Sequence, residues 1–224
     1  MSKYPDLQVH YVNDWPYKIS GRIEIFDTKK VKWGEFLIMI PVPPNYPNQL
    51  PEVYEISGII PRIADRHMYP KGQACLTARP NEILIGQRGI RMIEFLDEYV
   101  VPFFANQIYF QSENKWANGE YSHGSYSIVE FFCQLFTTDK LDVLLRCLII
   151  AIERMELPLN GKCLCGENKF LYGKCHWKAI EHASLIKRSQ LMEYYSIINY
   201  YRLNPGMKPI DVDTEDDFEG KGST

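Results

Sequence analysis

The spacing of apolar residues changes along this chain, and that change restricts the fold more than any other feature of the sequence. Between residues 17 and 26 apolar side chains alternate with polar ones, which is the period of a half-buried β-strand. From residue 90 onward apolar side chains recur every three or four positions, the period of an amphipathic helix. A run of strands followed by a run of helices indicates an α+β fold.

The first 60 residues predict an antiparallel meander of four strands with short connections. We expect the strands at residues 9–12, 17–26, 36–42 and 53–60. The polar segment 27–32 is typical of a hairpin loop. The third strand ends in a proline-rich segment, because proline cannot donate a hydrogen bond to a β-ladder; these prolines are at positions 41, 43, 44, 47 and 51.

Four helical stretches are predicted in the rest of the chain. They cover residues 90–104, 127–136, 139–155 and 177–202. We expect Thr138 or Asp139 to cap the third of these helices. Residues 112–126 are polar and predict a loop. The acidic segment 211–224 predicts a solvated, disordered tail.

Composition excludes several classes of protein. Of the 224 residues, 46% are hydrophobic, which is enough for a real core. The net charge of −3 lacks the basic footprint of a nucleic-acid-binding protein, so no nucleic acid partner is expected. No apolar run is long enough to cross a membrane, and the first residues do not read as a secretory signal. We therefore expect a cytoplasmic protein whose cysteines are reduced.

Cys75 lies in a setting that suits a reactive thiol. It follows the proline-rich segment and a turn at Gly72, which predicts a loop rather than a helix. Catalytic residues concentrate on loops that a rigid scaffold positions. Cys75 is also the only cysteine in the first 132 residues. The alternative is a buried structural thiol, since free cysteine is among the most buried residue types.

The order of these segments resembles the core of a ubiquitin-conjugating (UBC) enzyme. The resemblance rests on Ile19-Ser-Gly-Arg-Ile-Glu-Ile-Phe26, Trp33 to Pro41, Asn45-Tyr-Pro47 with Leu50-Pro-Glu-Val53, and Cys75-Leu76, and it covers roughly residues 6 to 136. The resemblance is strongest to the divergent bacterial branch of this family. Members of that branch are found in antiphage signalling (CBASS) operons and in ubiquitin-like conjugation operons. The resemblance implies that Cys75 carries a protein C-terminus as a thioester and passes it to an amine on a target.

The same resemblance implies partners for the chain and a role for His67. The carried protein would be a ubiquitin-like protein or a bacterial cyclic-oligonucleotide synthase, with an activating enzyme as a further candidate partner. The family places the asparagine of His-Pro-Asn eight positions before the cysteine, and here that position holds His67. Its side chain would donate to an oxyanion, order the loop, or act as a base toward the amine. Structural hydrogen bonding is the alternative.

A second set of cysteines predicts a metal site. Cys163, Cys165, Cys175 and His176 lie within fourteen residues, and three thiolates with one imidazole are a common structural zinc set. The spacing resembles the SEC-C motif, a small zinc module. Four protein ligands leave no open position, so the zinc would be structural. Reduced solvent-facing thiols or a disulfide are the alternatives. Cys133 and Cys147 lie in apolar helical runs and predict core positions.

We therefore expect an α+β chain with a UBC-like four-stranded meander and a helical module that zinc staples. The conjugating domain would cover residues 1–136, the helical module 137–203, and the acidic tail 204–224. Two rival functions stay open. One is a catalytically inactive scaffold of the same fold, and the other is a zinc-dependent protein-interaction module.

Overall fold

The computed structural model describes residues 3–117, 122, 124–166 and 170–207. The chain packs as two compact units. The first contains residues 1–77 and 85–120, and the second contains residues 78–84 and 121–224. The predicted boundary at residue 136 differs from this division, because the helix that ends at Phe136 packs into the core of the second unit. Residues 208–224, most of the predicted acidic tail, lie outside the described residues.

The first unit contains a four-stranded antiparallel sheet. Its strands are β1 (Leu7–Val12), β2 (Trp15–Phe26), β3 (Lys32–Pro41) and β4 (Tyr54–Glu55), and each pairs with its neighbour in chain order. The predicted α+β class and antiparallel meander are confirmed. The predicted fourth strand, 53–60, is too long, because only two of its residues join the β3 ladder.

The alternating pattern of the strands buries one face of the sheet. On β2 the inward side chains include Ile23 and Ile25, and on β3 they include Ile38 and Ile40, all fully buried. The turn between β1 and β2 is Asn13-Asp14, and both residues have positive φ. A two-residue turn of this kind matches the right-handed twist of paired strands, which explains the tight hairpin.

A long helical segment covers the inner face of the sheet. It consists of α2 (Met92–Phe95), a wider π-helical turn (Leu96–Val100) and α3 (Val101–Glu113). The predicted helix 90–104 is therefore present but extends further. Phe104 stacks on Phe36 of β3 with ring centroids 4.6 Å apart. Pro102 has no N–H to donate to the preceding turn, which fits the irregular turn just before it.

A helix that the spacing of apolar residues does not predict precedes this segment. It is α1 (Arg79–Arg88), with Pro80 in its first turn, where a missing N–H is tolerated. Its apolar residues, Ile83, Leu84 and Ile85, are consecutive rather than three or four positions apart. A consecutive run does not distinguish a helix from a strand.

The second unit is helical. It contains α4 (Tyr126–Phe136), α5 (Leu141–Glu153), α6 (Trp177–Ala183) and α7 (Arg188–Leu203). The centre of its core is fully buried and consists of Phe132, Phe136, Leu144, Leu148 and Ile198. Cys147 is fully buried in this core, as predicted, whereas Cys133 is half-buried at its edge.

Two details of the predicted helices are wrong. The N-cap of α5 is Lys140, not Thr138 or Asp139, although the Thr138 hydroxyl accepts a hydrogen bond from the Lys140 N–H over 3.2 Å. The single helix predicted over 177–202 is broken between Ala183 and Arg188. Ile186 lies in this break and is fully buried, so the apolar pattern of the sequence continues across the break and gives no sign of it.

None of the helices in the described residues is long and apolar enough to cross a membrane.

Candidate functional site

Cys75 ends a short hairpin that begins at His67. The Cys75 N–H donates to the His67 carbonyl oxygen over 2.8 Å, and Met68 pairs with Ala74 as the next rung. Next to the turn, the Tyr69 N–H donates a second hydrogen bond to the Gln73 carbonyl oxygen over 2.9 Å. The residue eight positions before the cysteine is therefore its direct backbone partner.

The turn of this hairpin requires glycine, as the sequence predicts. Gly72 has φ of +87°, a left-handed conformation that side chains with a Cβ rarely adopt. A Cβ on Gly72 would also lie 2.8 Å from the carbonyl oxygen of Glu55. The close approach has a function in the fold, because the Glu55 N–H donates to the Gly72 carbonyl oxygen over 2.8 Å.

Main-chain hydrogen bonds attach the hairpin to the edge of the sheet. The Ala74 N–H donates to the Val53 carbonyl oxygen over 2.8 Å, and Gln73 bridges to Tyr54 of β4. Backbone bonds of this kind do not depend on flexible side chains, so they hold the cysteine loop against the rigid meander. Cys75 itself is half-buried, in contrast to the fully buried Cys147.

A buried carboxylate supports the neighbouring turn. Glu55 is fully buried, and its oxygens accept hydrogen bonds from the Ser57 N–H over 2.8 Å, the Ser57 hydroxyl and the Gly58 N–H over 2.9 Å. A buried carboxylate must be satisfied in this way. Glu55 is not among the residues predicted from the sequence. The sequence feature that could have identified it is an acidic residue two positions before Ser-Gly, a pattern typical of turns that a side chain stabilises.

His67 follows a single 3₁₀ turn, and its own backbone conformation is unusual. The turn covers Ala64–Arg66, and His67 follows with φ 50° and ψ 40°. Histidine is one of the few residue types with a raised frequency in this region. Its imidazole packs on the ring of Trp116, with centroids 5.1 Å apart and an interplanar angle of 68°. The structure thus brings His67 next to Cys75 along the backbone and next to Trp116 through its side chain.

Arg66 and Gln107 form a polar contact beside His67. The Arg66 Nε donates to the Gln107 Oε1 over 2.9 Å, and the Gln107 amide donates to the Arg66 carbonyl oxygen over 2.8 Å. Partial burial lowers the pKa of the Arg66 guanidinium from its ordinary value. Sequence reasoning missed both residues, because they lie 41 positions apart and match no motif.

The predicted metal ligands come together in the second unit. The ligand atoms of Cys163, Cys165, Cys175 and His176 all lie within 4.8 Å of one another, and three of the four residues are buried. The Cys165 and Cys175 sulfurs are 3.8 Å apart, and the Cys163 sulfur is 3.4 Å from the His176 Nδ1. Tetrahedral zinc with Zn–S of about 2.3 Å and Zn–N of about 2.0 Å needs separations of roughly 3.5–3.8 Å. The two distances above are close to this range, whereas the Cys175 sulfur lies nearer to the His176 Nδ1, at 3.0 Å. The four residues can hold a metal ion.

The chain reaches this cluster through two tight segments. Cys163 and Cys165 precede Gly166, whose φ of +81° turns the chain, and Arg146 of α5 donates to the Cys165 carbonyl oxygen over 3.3 Å. Cys175 follows a 3₁₀ turn at Tyr172–Lys174, and His176 begins α6. Among the described residues these cysteines form no disulfide, because the 3.8 Å between the Cys165 and Cys175 sulfurs is far from the about 2.05 Å of an S–S bond.

The His176 ring is oriented by the end of α4. Its Nε2 lies 3.0 Å from the Phe136 carbonyl oxygen. A carbonyl oxygen only accepts, so Nε2 carries the proton and Nδ1 keeps a lone pair facing the sulfurs. A metal-binding histidine commonly donates its second nitrogen in this way.

Two thiols of the cluster, those of Cys163 and Cys175, are held in their neutral form when no cation is bound. Burial raises the pKa of the Cys163 thiol and raises that of Cys175 to about 12. Neighbouring sulfurs contribute to the rise at Cys175. A bound cation would reverse this preference, because metal ligands are thiolates.

A scan against models of known protein families gives no match, and no curated protein matches the chain significantly. Two arrangements of side chains therefore remain as the indications of function. One is the Cys75 hairpin in the first unit, and the other is the four-residue cluster in the second.

Proposed function

We propose that this chain is a cysteine-dependent conjugating enzyme, an acyl transferase similar to ubiquitin-conjugating enzymes. The observation that supports the proposal is the half-buried Cys75, on a hairpin that main-chain hydrogen bonds tie to the edge of a four-stranded antiparallel meander. A half-buried thiol on such a hairpin is partly exposed to a substrate, while the backbone hydrogen bonds fix the position of its Cα. The carried protein would be a ubiquitin-like protein or a bacterial cyclic-oligonucleotide synthase, in cytoplasmic antiphage defence; that identity rests on the sequence resemblance alone.

The chemistry has two steps. In the first, the Cys75 thiolate attacks the thioester carbonyl of a protein C-terminus carried by an activating enzyme; the new C–S bond forms and the donor thiolate leaves. In the second, an amine on the target attacks the Cys75 thioester. A C–N bond forms, the Cys75 thiolate leaves, and the amine loses a proton to a base. A thiol suits both steps because its thiolate is a strong nucleophile and a good leaving group.

His67 would act in the second step. In the tetrahedral intermediate the carbonyl oxygen becomes an oxyanion, and a ring N–H donated to it would lower the barrier. The ring could instead accept the amine proton. Both roles require His67 to stand close to Cys75, and the direct hydrogen bond between the two backbones supports that placement.

We also propose that zinc fills the cluster of Cys163, Cys165, Cys175 and His176 in a structural role. The donor set, the buried positions and the separations between donors support zinc. When bound, the ion would supply cross-linking rather than reactivity. Its ligands join the start of α6 to the segment that follows α5, so the ion would replace the core that such a short loop cannot build.

The test of the conjugating function is a covalent adduct on Cys75. We would co-express the chain with the genes that surround its own and measure intact mass with and without a thiol reductant. We expect a reductant-sensitive adduct on the wild type and on Cys133→Ala, a control that removes another half-buried thiol, and none on Cys75→Ala. The mass of the adduct would identify the carried protein.

The opposite result would favour the inactive scaffold. If the wild type carries no adduct and Cys75 resists a mild alkylating agent, the proposal is overturned. The zinc-dependent interaction module would then be the function to pursue, and its test is loss of a partner upon removal of the metal.

A further inference from the structure

A row of four side chains leads from a buried helix residue to His67. Its members are Arg66, Phe110, Trp116 and His67 itself. The Arg66 guanidinium lies 4.6 Å over the Phe110 ring, the Phe110 and Trp116 centroids are 4.7 Å apart, and Trp116 packs on the His67 imidazole at 5.1 Å. We call this set the His67 row.

The far end of the His67 row is fixed to α3. Gln107 is 1% exposed, and three hydrogen bonds join it to Arg66. Two come from the Arg66 guanidinium, to the Gln107 side chain over 2.9 Å and to its carbonyl oxygen over 3.2 Å. The third runs from the Gln107 amide to the Arg66 carbonyl oxygen over 2.8 Å. Because that carbonyl belongs to the peptide bond preceding His67, the same contact holds the His67 backbone.

The backbone of His67 is fixed on both sides. Its N–H donates to the Ala64 carbonyl oxygen over 2.6 Å, and its carbonyl oxygen accepts from Cys75. The backbone is therefore fixed in the left-handed region, and the orientation of the imidazole depends on the two side-chain torsions. An aromatic ring packed edge to face restricts those torsions.

The row is not part of the hydrophobic core. Neither Phe110 nor Trp116 belongs to the core cluster that the described residues of the first unit form. Trp116 is half-buried. Trp116 therefore packs on the residue that pairs with Cys75 without belonging to that core cluster.

We infer that Trp116 is a positioning residue that sets the orientation of the His67 imidazole for acyl transfer from Cys75. The inference rests on the proposed function. The indole would touch neither the thioester nor the amine; it would act through His67, by limiting the rotamers of the ring. Small errors in the placement of a catalytic group lower the reaction rate strongly, so loss of the indole would slow the transfer.

The test measures single-turnover transfer from the preloaded Cys75 thioester to free lysine. We compare wild type with Trp116→Leu, which removes the aromatic ring, and with Trp116→Phe, which keeps one. We expect Trp116→Leu to slow the transfer about tenfold or more, and Trp116→Phe to keep most of the rate. Formation of the thioester and the melting temperature should change little, since the indole lies outside the core.

A double-mutant cycle separates positioning from general destabilisation. If Trp116 acts through His67, adding Trp116→Leu to His67→Ala should slow the transfer no further. Equal fold-losses in both backgrounds would overturn the inference, and so would an unchanged rate in Trp116→Leu.

An NMR measurement reports on the ring without any reaction. The carbon-bound ring protons of His67, assigned by their loss in His67→Asn, should shift when Trp116→Leu removes the aromatic ring current. An unchanged spectrum would overturn the inference. A wild type that never forms a thioester would instead overturn the proposed function, and the positioning role with it.

Discussion

The backbone N–H of Cys75 donates a hydrogen bond to the carbonyl oxygen of His67 over 2.8 Å. This bond closes the hairpin and turns a spacing of eight residues into direct adjacency. The turn at Gly72 and the rung between Met68 and Ala74 complete the same hairpin. A residue eight positions before the thiol is thus placed beside it by backbone geometry.

The first prediction distinguishes the two proposed roles of His67. Asparagine tolerates the left-handed backbone at this position and has an N–H to donate, but it cannot act as a base. We expect His67→Asn to keep transfer from the Cys75 thioester within several fold, and His67→Ala to lose about 10²-fold. Single-turnover transfer to lysine measures both variants.

Alanine at this position carries its own strain, so stability must be followed in parallel. Alanine is rarer than histidine or asparagine in the left-handed region, so we expect a lower melting temperature for His67→Ala. If His67→Asn is as slow as His67→Ala while it melts like the wild type, the donor role is wrong and the base role stands.

The second prediction concerns the glycine turn of the Cys75 hairpin. Gly72 and Gly58 both have positive φ, at +87° and +73°. A Cβ on Gly72 would approach the Glu55 carbonyl oxygen, whereas a Cβ on Gly58 would meet no atom of the described residues within 4 Å. Gly58→Ala is therefore a matched control that adds the same backbone strain without the collision.

We expect Gly58→Ala to cost about 1 kcal/mol in the free energy of unfolding. Gly72→Ala should cost about 1–3 kcal/mol more, because the collision displaces the bond between the hairpin and β4. Urea denaturation measures the difference, and formation of the Cys75 thioester should fall only in Gly72→Ala. Equal losses of stability in Gly58→Ala and Gly72→Ala would contradict the prediction, because the hairpin would then accommodate the added Cβ without a loss of free energy.

The third prediction concerns the metal ligands. We expect purified protein to contain about one equivalent of zinc. Cys163→Ser and Cys175→Ser should lose the metal, because a serine hydroxyl is a poor zinc ligand. Cys133→Ser should keep it, since its sulfur lies outside the cluster. Atomic absorption and native mass spectrometry give the stoichiometry, and retention of zinc by Cys163→Ser would exclude that residue as a ligand.

The fourth prediction is the release of protons when zinc binds. Burial raises the pKa of Cys163 and raises that of Cys175 to about 12, so both thiols are protonated at neutral pH in the metal-free protein. Zinc binds thiolates, so binding must expel these protons and the affinity must fall as the pH falls. Calorimetry in buffers with different ionisation enthalpies measures the proton count. An enthalpy independent of the buffer would contradict the prediction.

Strands and helices were predictable where one periodic pattern extends over a whole element. Positions 19, 21, 23 and 25 alternate with polar residues, and β2 is found at Trp15–Phe26. The elements that were missed lack such a pattern or hide a break within it. α1 has consecutive apolar residues, and the apolar period runs through the gap between α6 and α7. Strand β4 is short because only Tyr54 and Glu55 pair with β3, and pairing depends on the partner strand.

The candidate sites divide in the same way. The metal ligands were predictable because Cys163, Cys165, Cys175 and His176 lie within a short segment that can only fold back on itself. The loop position of Cys75 was predictable from the turn residues before it. The roles of Gln107 and Trp116 were not predictable from the sequence. Each contacts a partner that is 40 or more residues away along the chain, and no local sequence pattern indicates such a contact.

The sequence alone therefore determined the class of fold, the loop position of Cys75 and the four residues whose ligand atoms come together in the second unit. These features follow from local periodicity, turn residues and ligand spacing, which act over a few residues. The tertiary structure decided the division into two units, the attachment of the Cys75 hairpin to the sheet edge, the proton position on His176 and the packing of Trp116 on His67. Each of these depends on contacts between distant segments, and such contacts exist only once the chain has folded.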